Sequence, residues 1–140
     1  MSGTETALSI GEVAAASGVP AKTIRYYESI GLLPPAERRD NGYRCYAPRA
    51  LEELRFIRRA RGLGFPLDEV EALLALWRDR NRASAEVKAL AQRQIAAIDA
   101  KLEELTSMRD VLQNLVARCH GDHRPDCPIL ERLAHAETQR

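Results

Sequence analysis

The stretch from Ser84 to Arg118 contains neither glycine nor proline, the two residues that most readily end a helix. Its apolar residues Ile95, Ile98, Leu102, Leu105, Met108, Leu112 and Leu115 recur mostly in steps of three and four. Ile98, Leu105 and Leu112 fall on a strict seven-residue repeat, the spacing of a coiled-coil seam. At about 1.5 Å per residue, this helix runs about 50 Å. No other segment of the 140-residue chain is long enough to cover that stripe from within. An intrachain bundle is therefore disfavoured, and a homodimer is expected.

The residues before this helix read as two helix pairs around a hairpin. Ser9-Ile-Gly-Glu12 is a capping box that opens a short helix with Ile10, Val13 and Ala14 on one face, closed by Gly18. Pro20 starts a second helix through Glu28 that stops at Gly31. Two short helices joined by a tight turn make a helix-turn-helix. Arg38 to Tyr46 then carries Asn41-Gly42 between aromatic and basic flanks, the signal of a type I′ hairpin, which here would be a wing. A helix from Pro48 to Arg61 turns Leu51, Leu54, Ile57 and Phe56 inward. Another starts at Pro66, with Leu67, Val70, Leu73, Leu74 and Trp77 on its buried stripe. The fold class is mainly α. The expected divisions are a frayed tail at 1–7, a winged helix-turn-helix at 8–78, a linker and dimerisation helix at 79–118, and a loop with a short helix at 119–140.

Charge separates these parts. The net charge is +1, yet Lys22 to Arg61 carries ten basic and five acidic residues, so that segment is +5 and the remainder −4. A basic module joined to an acidic one suits a polyanion binder with a second function. Lys22, Arg25 and Tyr27 cluster on the second helix of the helix-turn-helix, the one that enters a DNA major groove. Arg25 is placed for bidentate guanine contact and Lys22 for phosphate. Arg38, Tyr43 and Arg44 on the wing, with Arg61 further on, are placed to grip phosphates. The competing reading of the same pattern is a winged-helix interaction domain without nucleic acid. No nucleophile–base pair or paired carboxylates converge, so an enzyme is not expected. No apolar run approaches the roughly 20 residues of a membrane span. The N-terminus also lacks a signal-peptide pattern, which points to the cytoplasm.

After the long helix comes Cys119-His-Gly-Asp-His-Arg-Pro-Asp-Cys127, followed by a helix start at Pro128. Two thiols on a short loop are soft ligands, suited to Cu(I) and its heavier relatives rather than to hard cations. Zinc sites normally take four ligands, and the loop supplies two certain ones. A helix starting at Pro128 would aim backbone N–H groups at the loop and favour thiolate. His120 and His123, inside the loop, could expand coordination toward Zn(II), and His135 lies beyond it. Cys45, on the wing strand, has no cysteine nearby in sequence and reads as a small packing residue. A metal chaperone or dithiol redox protein is the rival from another class, though neither needs a wing, a recognition helix and a dimer rod.

The run Ile10-Gly-Glu-Val-Ala, Gly18-Val, Thr23-Ile-Arg-Tyr-Tyr-Glu28, Gly31-Leu-Leu, Asn41-Gly-Tyr-Arg44, Tyr46, Leu54, Ile57, Gly64-Phe and Leu67 resembles the MerR family of transcriptional regulators. The resemblance spans about Leu8 to Leu76. It implies dimers joined by an antiparallel coiled coil, each winged helix on half of a palindromic promoter. It also implies DNA contacts at Lys22, Arg25, Tyr27, Arg38, Tyr43, Arg44 and Arg61. Cys119-x7-Cys127 followed by Pro-Ile-Leu is similar to the copper-efflux branch, where a serine heads the dimerisation helix at the place of a third cysteine in divalent-ion members. Ser84 stands there and is also a candidate N-cap. The resemblance therefore implies Cu(I), with Ag(I) or Au(I) as substitutes, as the signal at Cys119 and Cys127. The implied output is activation of copper-efflux genes by distorting a promoter for RNA polymerase.

Overall fold

A computed structural model describes residues 7–38, 42–119, 121 and 125–135. Ser9 accepts from the Glu12 amide while the Glu12 carboxylate accepts from the Ser9 amide, and this reciprocal cap opens α1 (Ile10–Ser17). Gly18 closes it at φ +78, a left-handed conformation that costs a side-chain-bearing residue about 1–2 kcal/mol. The buried Ser17 hydroxyl accepts from the Val19 amide, which tightens the turn. α2 (Ala21–Ser29) follows directly, with Pro20 at its cap position.

The wing is a two-stranded antiparallel ribbon of β1 (Glu37–Arg38) and β2 (Arg44–Cys45), pairing Glu37 with Cys45 and Arg38 with Arg44. Asn41, half of the expected type I′ turn, lies outside the described residues. Leu8 adds an antiparallel bridge to Tyr46, fastening the start of the chain beside the wing.

α3 (Pro48–Gly62) and α4 (Leu67–Arg78) complete the winged module. Val13, Ile24, Leu33, Leu54, Ile57, Val70 and Leu74 are fully buried and drawn from every helix of the module. Each contributes on the order of 1.5–3 kcal/mol by leaving water, so the residues that present the surface rest on a firm base. Trp77 departs from the buried stripe expected of it: it is 38% exposed and stacks face to face on Phe56, ring centroids 4.6 Å apart. The helical period carries it to the rim of the stripe, where a ring can lie flat on its neighbour.

α5 (Ser84–Arg118) is the uninterrupted 35-residue helix, and α6 (Pro128–Ala134) is short. The chain divides into compact units at residues 1–94 and 95–140, so the first turns of α5 belong with the winged module. Leu90 is buried there. Beyond it Ile95, Ile98, Leu102, Leu105, Met108 and Leu112 are all exposed in the single chain. Leu115 corrects the expected seam: it is 3% exposed, covered by its own chain and not left open for a second copy. Ser84 is the first residue of α5.

Candidate functional site

On α2, Ile24 and Tyr27 face the core while Lys22 and Arg25, three residues apart, share the exposed side. Tyr27 was expected at the DNA surface, but it is only 8% exposed and sits in the core cluster. Its neighbour Tyr26 is 51% exposed. Three residues separate Tyr27 from Ile24, so the same helical face that buries one buries most of the other.

The wing brings its basic residues to the same side. A shallow cleft of about 340 Å³ is lined by Ser9, Ile10, Arg25, Gly42, Tyr43 and Arg44, joining recognition helix and wing in one surface. Arg38 Nη1 donates to the Gly42 carbonyl at 3.1 Å, bracing the hairpin. Arg61, exposed in the last turn of α3, donates from Nη1 to the Phe65 carbonyl at 2.8 Å. A guanidinium carries five N–H donors, so each bond leaves capacity for a phosphate.

Glu28 is the residue that sequence reasoning missed. Its carboxylate accepts from Tyr46 Oη, from Arg44 Nη1 at 3.3 Å and from the Ala36 amide at 3.5 Å. One acid at the end of α2 thus ties the recognition helix to the wing. Burial, then the Glu28 carboxylate, push the Tyr46 hydroxyl above its ordinary pKa. The available signal was the one acid on the second helix, followed by an arginine and a tyrosine two residues apart at the wing strand.

At the other end of the chain, Cys119 leaves α5 with its amide donating to the Val116 carbonyl, and Cys127 occupies the cap position of α6. The two thiols are within hydrogen-bonding reach of each other, although seven residues separate them. The Leu130 amide holds the Cys127 thiol below its ordinary pKa; partial burial opposes this, and the Ile129 amide and the Cys119 side chain add to it. The nearby Asp126 charge works the other way. Two adjacent sulfurs, one biased toward thiolate, are a fitting donor set for a soft cation. Among the described residues, no three His, Cys, Asp or Glu side chains converge on one point. His120 and His123 lie outside those residues. His135 Nε2 lies 3.3 Å from Glu131 on α6. Ser84 is exposed at the head of α5. Cys45 is half-buried on β2 and lines a separate pocket with Pro34, Pro35 and Arg78.

Residues 8–77 match the MerR HTH family regulatory protein model, and residues 51–115 match the model described as MerR, DNA binding. The chain belongs to the MerR family. It is 54% identical to the HTH-type transcriptional regulator HmrR of Rhizobium leguminosarum, over 91% of this chain and 98% of that one. It is 43% identical to CueR of Escherichia coli, over 91% and 94%. Among solved structures, the lead(II) complex of PbrR691 from Ralstonia metallidurans superposes with a TM-score of 0.78 at 35% identity, covering 90% of this chain and 98% of that one. The MerR family consists of transcriptional regulators, and the residues that match its HTH model include the cleft and the wing described above. No helix among the described residues is long and apolar enough to cross a membrane.

Proposed function

We propose that this chain is a cytoplasmic, homodimeric transcriptional activator that senses Cu(I), with Ag(I) and Au(I) as substitutes, and turns on copper-efflux genes. The observation that carries the reading is the meeting of the Cys119 and Cys127 thiols, with backbone amides turned toward Cys127. These two residues would hold the ion, which would tie the end of α5 to the start of α6. The Ile129 and Leu130 amides offset thiolate charge that a monovalent cation leaves unbalanced. Ser84, where divalent-ion members place a third thiolate, supports the monovalent choice.

Lys22, Arg25, Arg38, Tyr43, Arg44 and Arg61 would hold a palindromic promoter, one winged module on each half. The exposed stripe from Ile95 to Leu112 would pair with a second copy. Binding at the cysteines would favour one of two packed states of the dimer. That state would bend and untwist the promoter so that RNA polymerase engages both of its elements, at a deformation cost on the order of 1–6 kcal/mol met by phosphate contacts. The lead(II) complex of the structurally similar PbrR691 favours a second reading, a regulator of divalent ions such as Zn(II).

Anaerobic transcription in vitro from the cognate promoter with Cu(I), Ag(I) or Zn(II), using wild type, Cys119→Ser and Cys127→Ser, tests both readings. The expected result is activation by Cu(I) and Ag(I) that either substitution abolishes. Activation by Zn(II) alone would establish the divalent reading, and full activity in both variants would remove the loop from sensing.

A further inference from the structure

Gln94 is the last residue of the winged unit and lies on α5, outside the set of side chains read above as DNA contacts. Its Nε2 donates to the Leu63 carbonyl at 2.9 Å, across a sequence separation of 31 residues. Leu63 belongs to the turn between α3 and α4, directly after the last turn of α3 that carries Arg61. That turn is closed on itself: the Leu63 amide donates to the Arg59 and Ala60 carbonyls, the Gly64 amide to the Arg61 carbonyl and the Phe65 amide to the Ala60 carbonyl. Arg61 completes it by donating to the Phe65 carbonyl. The turn is therefore a single body, and Gln94 is a side chain that holds it from outside.

Gly64 makes room for this bond. Its φ of +88 suits glycine, and a Cβ at this position would stand 2.6 Å from Gln94 Nε2. The amide occupies the space a side chain would fill. Four residues earlier on the same face of α5, Leu90 is buried, so an apolar anchor and a polar pin act together on one helical stripe.

We propose that Gln94 is a positioning residue for DNA binding: by fastening the turn after α3 to the first turns of α5, it sets where the Arg61 guanidinium meets a phosphate. The inference rests on the DNA-binding reading and on Arg61 as a contact. A bond at the module surface adds little to folding, because water replaces it readily when it is lost. Its effect on DNA is larger, because an unpinned turn lets Arg61 spread over positions that do not reach the phosphate. Gln94→Glu keeps the shape but turns a carboxylate oxygen toward the Leu63 carbonyl. Gln94→Lys restores a donor of similar reach.

The test uses the full-length dimer and a labelled duplex carrying the palindrome that the wild type selects from a random pool. Affinity is measured by fluorescence anisotropy for wild type, Gln94→Ala, Gln94→Glu, Gln94→Lys, Arg61→Ala and the double variant Arg61→Ala/Gln94→Ala, with thermal melting alongside. The expected result is that Gln94→Ala and Gln94→Glu weaken binding about 2- to 10-fold, the range spanned by one ordinary hydrogen bond, while melting is nearly unchanged. Gln94→Lys restores most of the loss. Gln94→Ala adds nothing once Arg61 is alanine, because it acts through that residue. Equal losses in both backgrounds, or no loss in either, would overturn the proposal. A folded wild type that selects no duplex would overturn the DNA-binding reading itself, and the proposal with it.

Discussion

Arg78 at the end of α4 grips Glu53 of α3 with two guanidinium nitrogens, Nη2 on Oε1 at 2.8 Å and Nε on Oε2 at 2.9 Å. Arg49 adds a third bond to Oε2 at 3.2 Å. The carboxylate is 3% exposed, so this fork locks two helices at a position that water hardly reaches. Removing Glu53 deprives both arginines of this carboxylate and leaves Arg78 its bond to the Leu32 carbonyl at 3.4 Å. Glu53→Ala is therefore expected to cost about 2 kcal/mol, the scale of losing charge-assisted hydrogen bonds, read as a lower midpoint in urea denaturation.

The same group makes stability depend on acid. Burial alone would raise the Glu53 pKa, but the hydrogen bonds from Arg78 and Arg49 outweigh it and hold the carboxyl below its ordinary 4.5. A carboxyl with a depressed folded-state pKa stabilises the fold above its unfolded value and loses that contribution as pH falls through the folded one. Stability should therefore decline below about pH 4.5, and Glu53→Gln should flatten that acid limb in denaturation curves measured across the window. An acid limb of equal slope in the variant would assign the decline to other carboxylates.

Gly18 closes α1 at φ +78, and a Cβ there would lie 3.1 Å from the Arg58 side chain. Gly18→Ala is expected to destabilise the winged module by about 1–2 kcal/mol, chiefly through the left-handed backbone. Thermal melting should fall accordingly.

Arg25 and Lys22 share the exposed face of α2 but should fail differently. Arg25→Ala is expected to cost about 1–3 kcal/mol on the cognate palindrome and to relax base preference at one position. Lys22→Ala should weaken all sequences alike and lower the salt slope by about 1. Anisotropy titrations over a range of salt concentrations separate the two.

Leu102, Leu105 and Leu112 stand exposed along α5 in the single chain. Leu105→Lys should raise the dimer dissociation constant by about 100-fold or more, since one leucine side chain worth about 1.5–3 kcal/mol is lost from each helix. Sedimentation equilibrium reads this directly. An unchanged dimer would place the interface elsewhere on the chain.

Much of this architecture was legible because it is written in local signals. The Ser9–Glu12 box, the Gly18 stop and the proline at the head of α3 each act within a few residues, and each element begins or ends near where those residues stand. The long α5 was legible for a related reason, since 35 residues without glycine or proline and with a heptad stripe have few alternatives. The fates of Tyr27, Trp77 and Leu115 were not, because a periodic pattern names the apolar face of a helix without naming what will cover it. Leu115 continues the three-and-four spacing after Leu112 in sequence, yet its own chain buries it.

By itself, then, the sequence determined the kind of elements, their order, the basic character of the winged half and the pair of thiols after α5. Tertiary structure alone decided which long-range partners those residues meet. Glu28 joining α2 to the wing, Glu53 meeting Arg78 and Gln94 meeting the Leu63 carbonyl depend on separations of 16, 25 and 31 residues. The physical reason is that a hydrogen bond between distant residues leaves no periodicity in the chain. Only packing the hydrophobic core brings its donor and acceptor together.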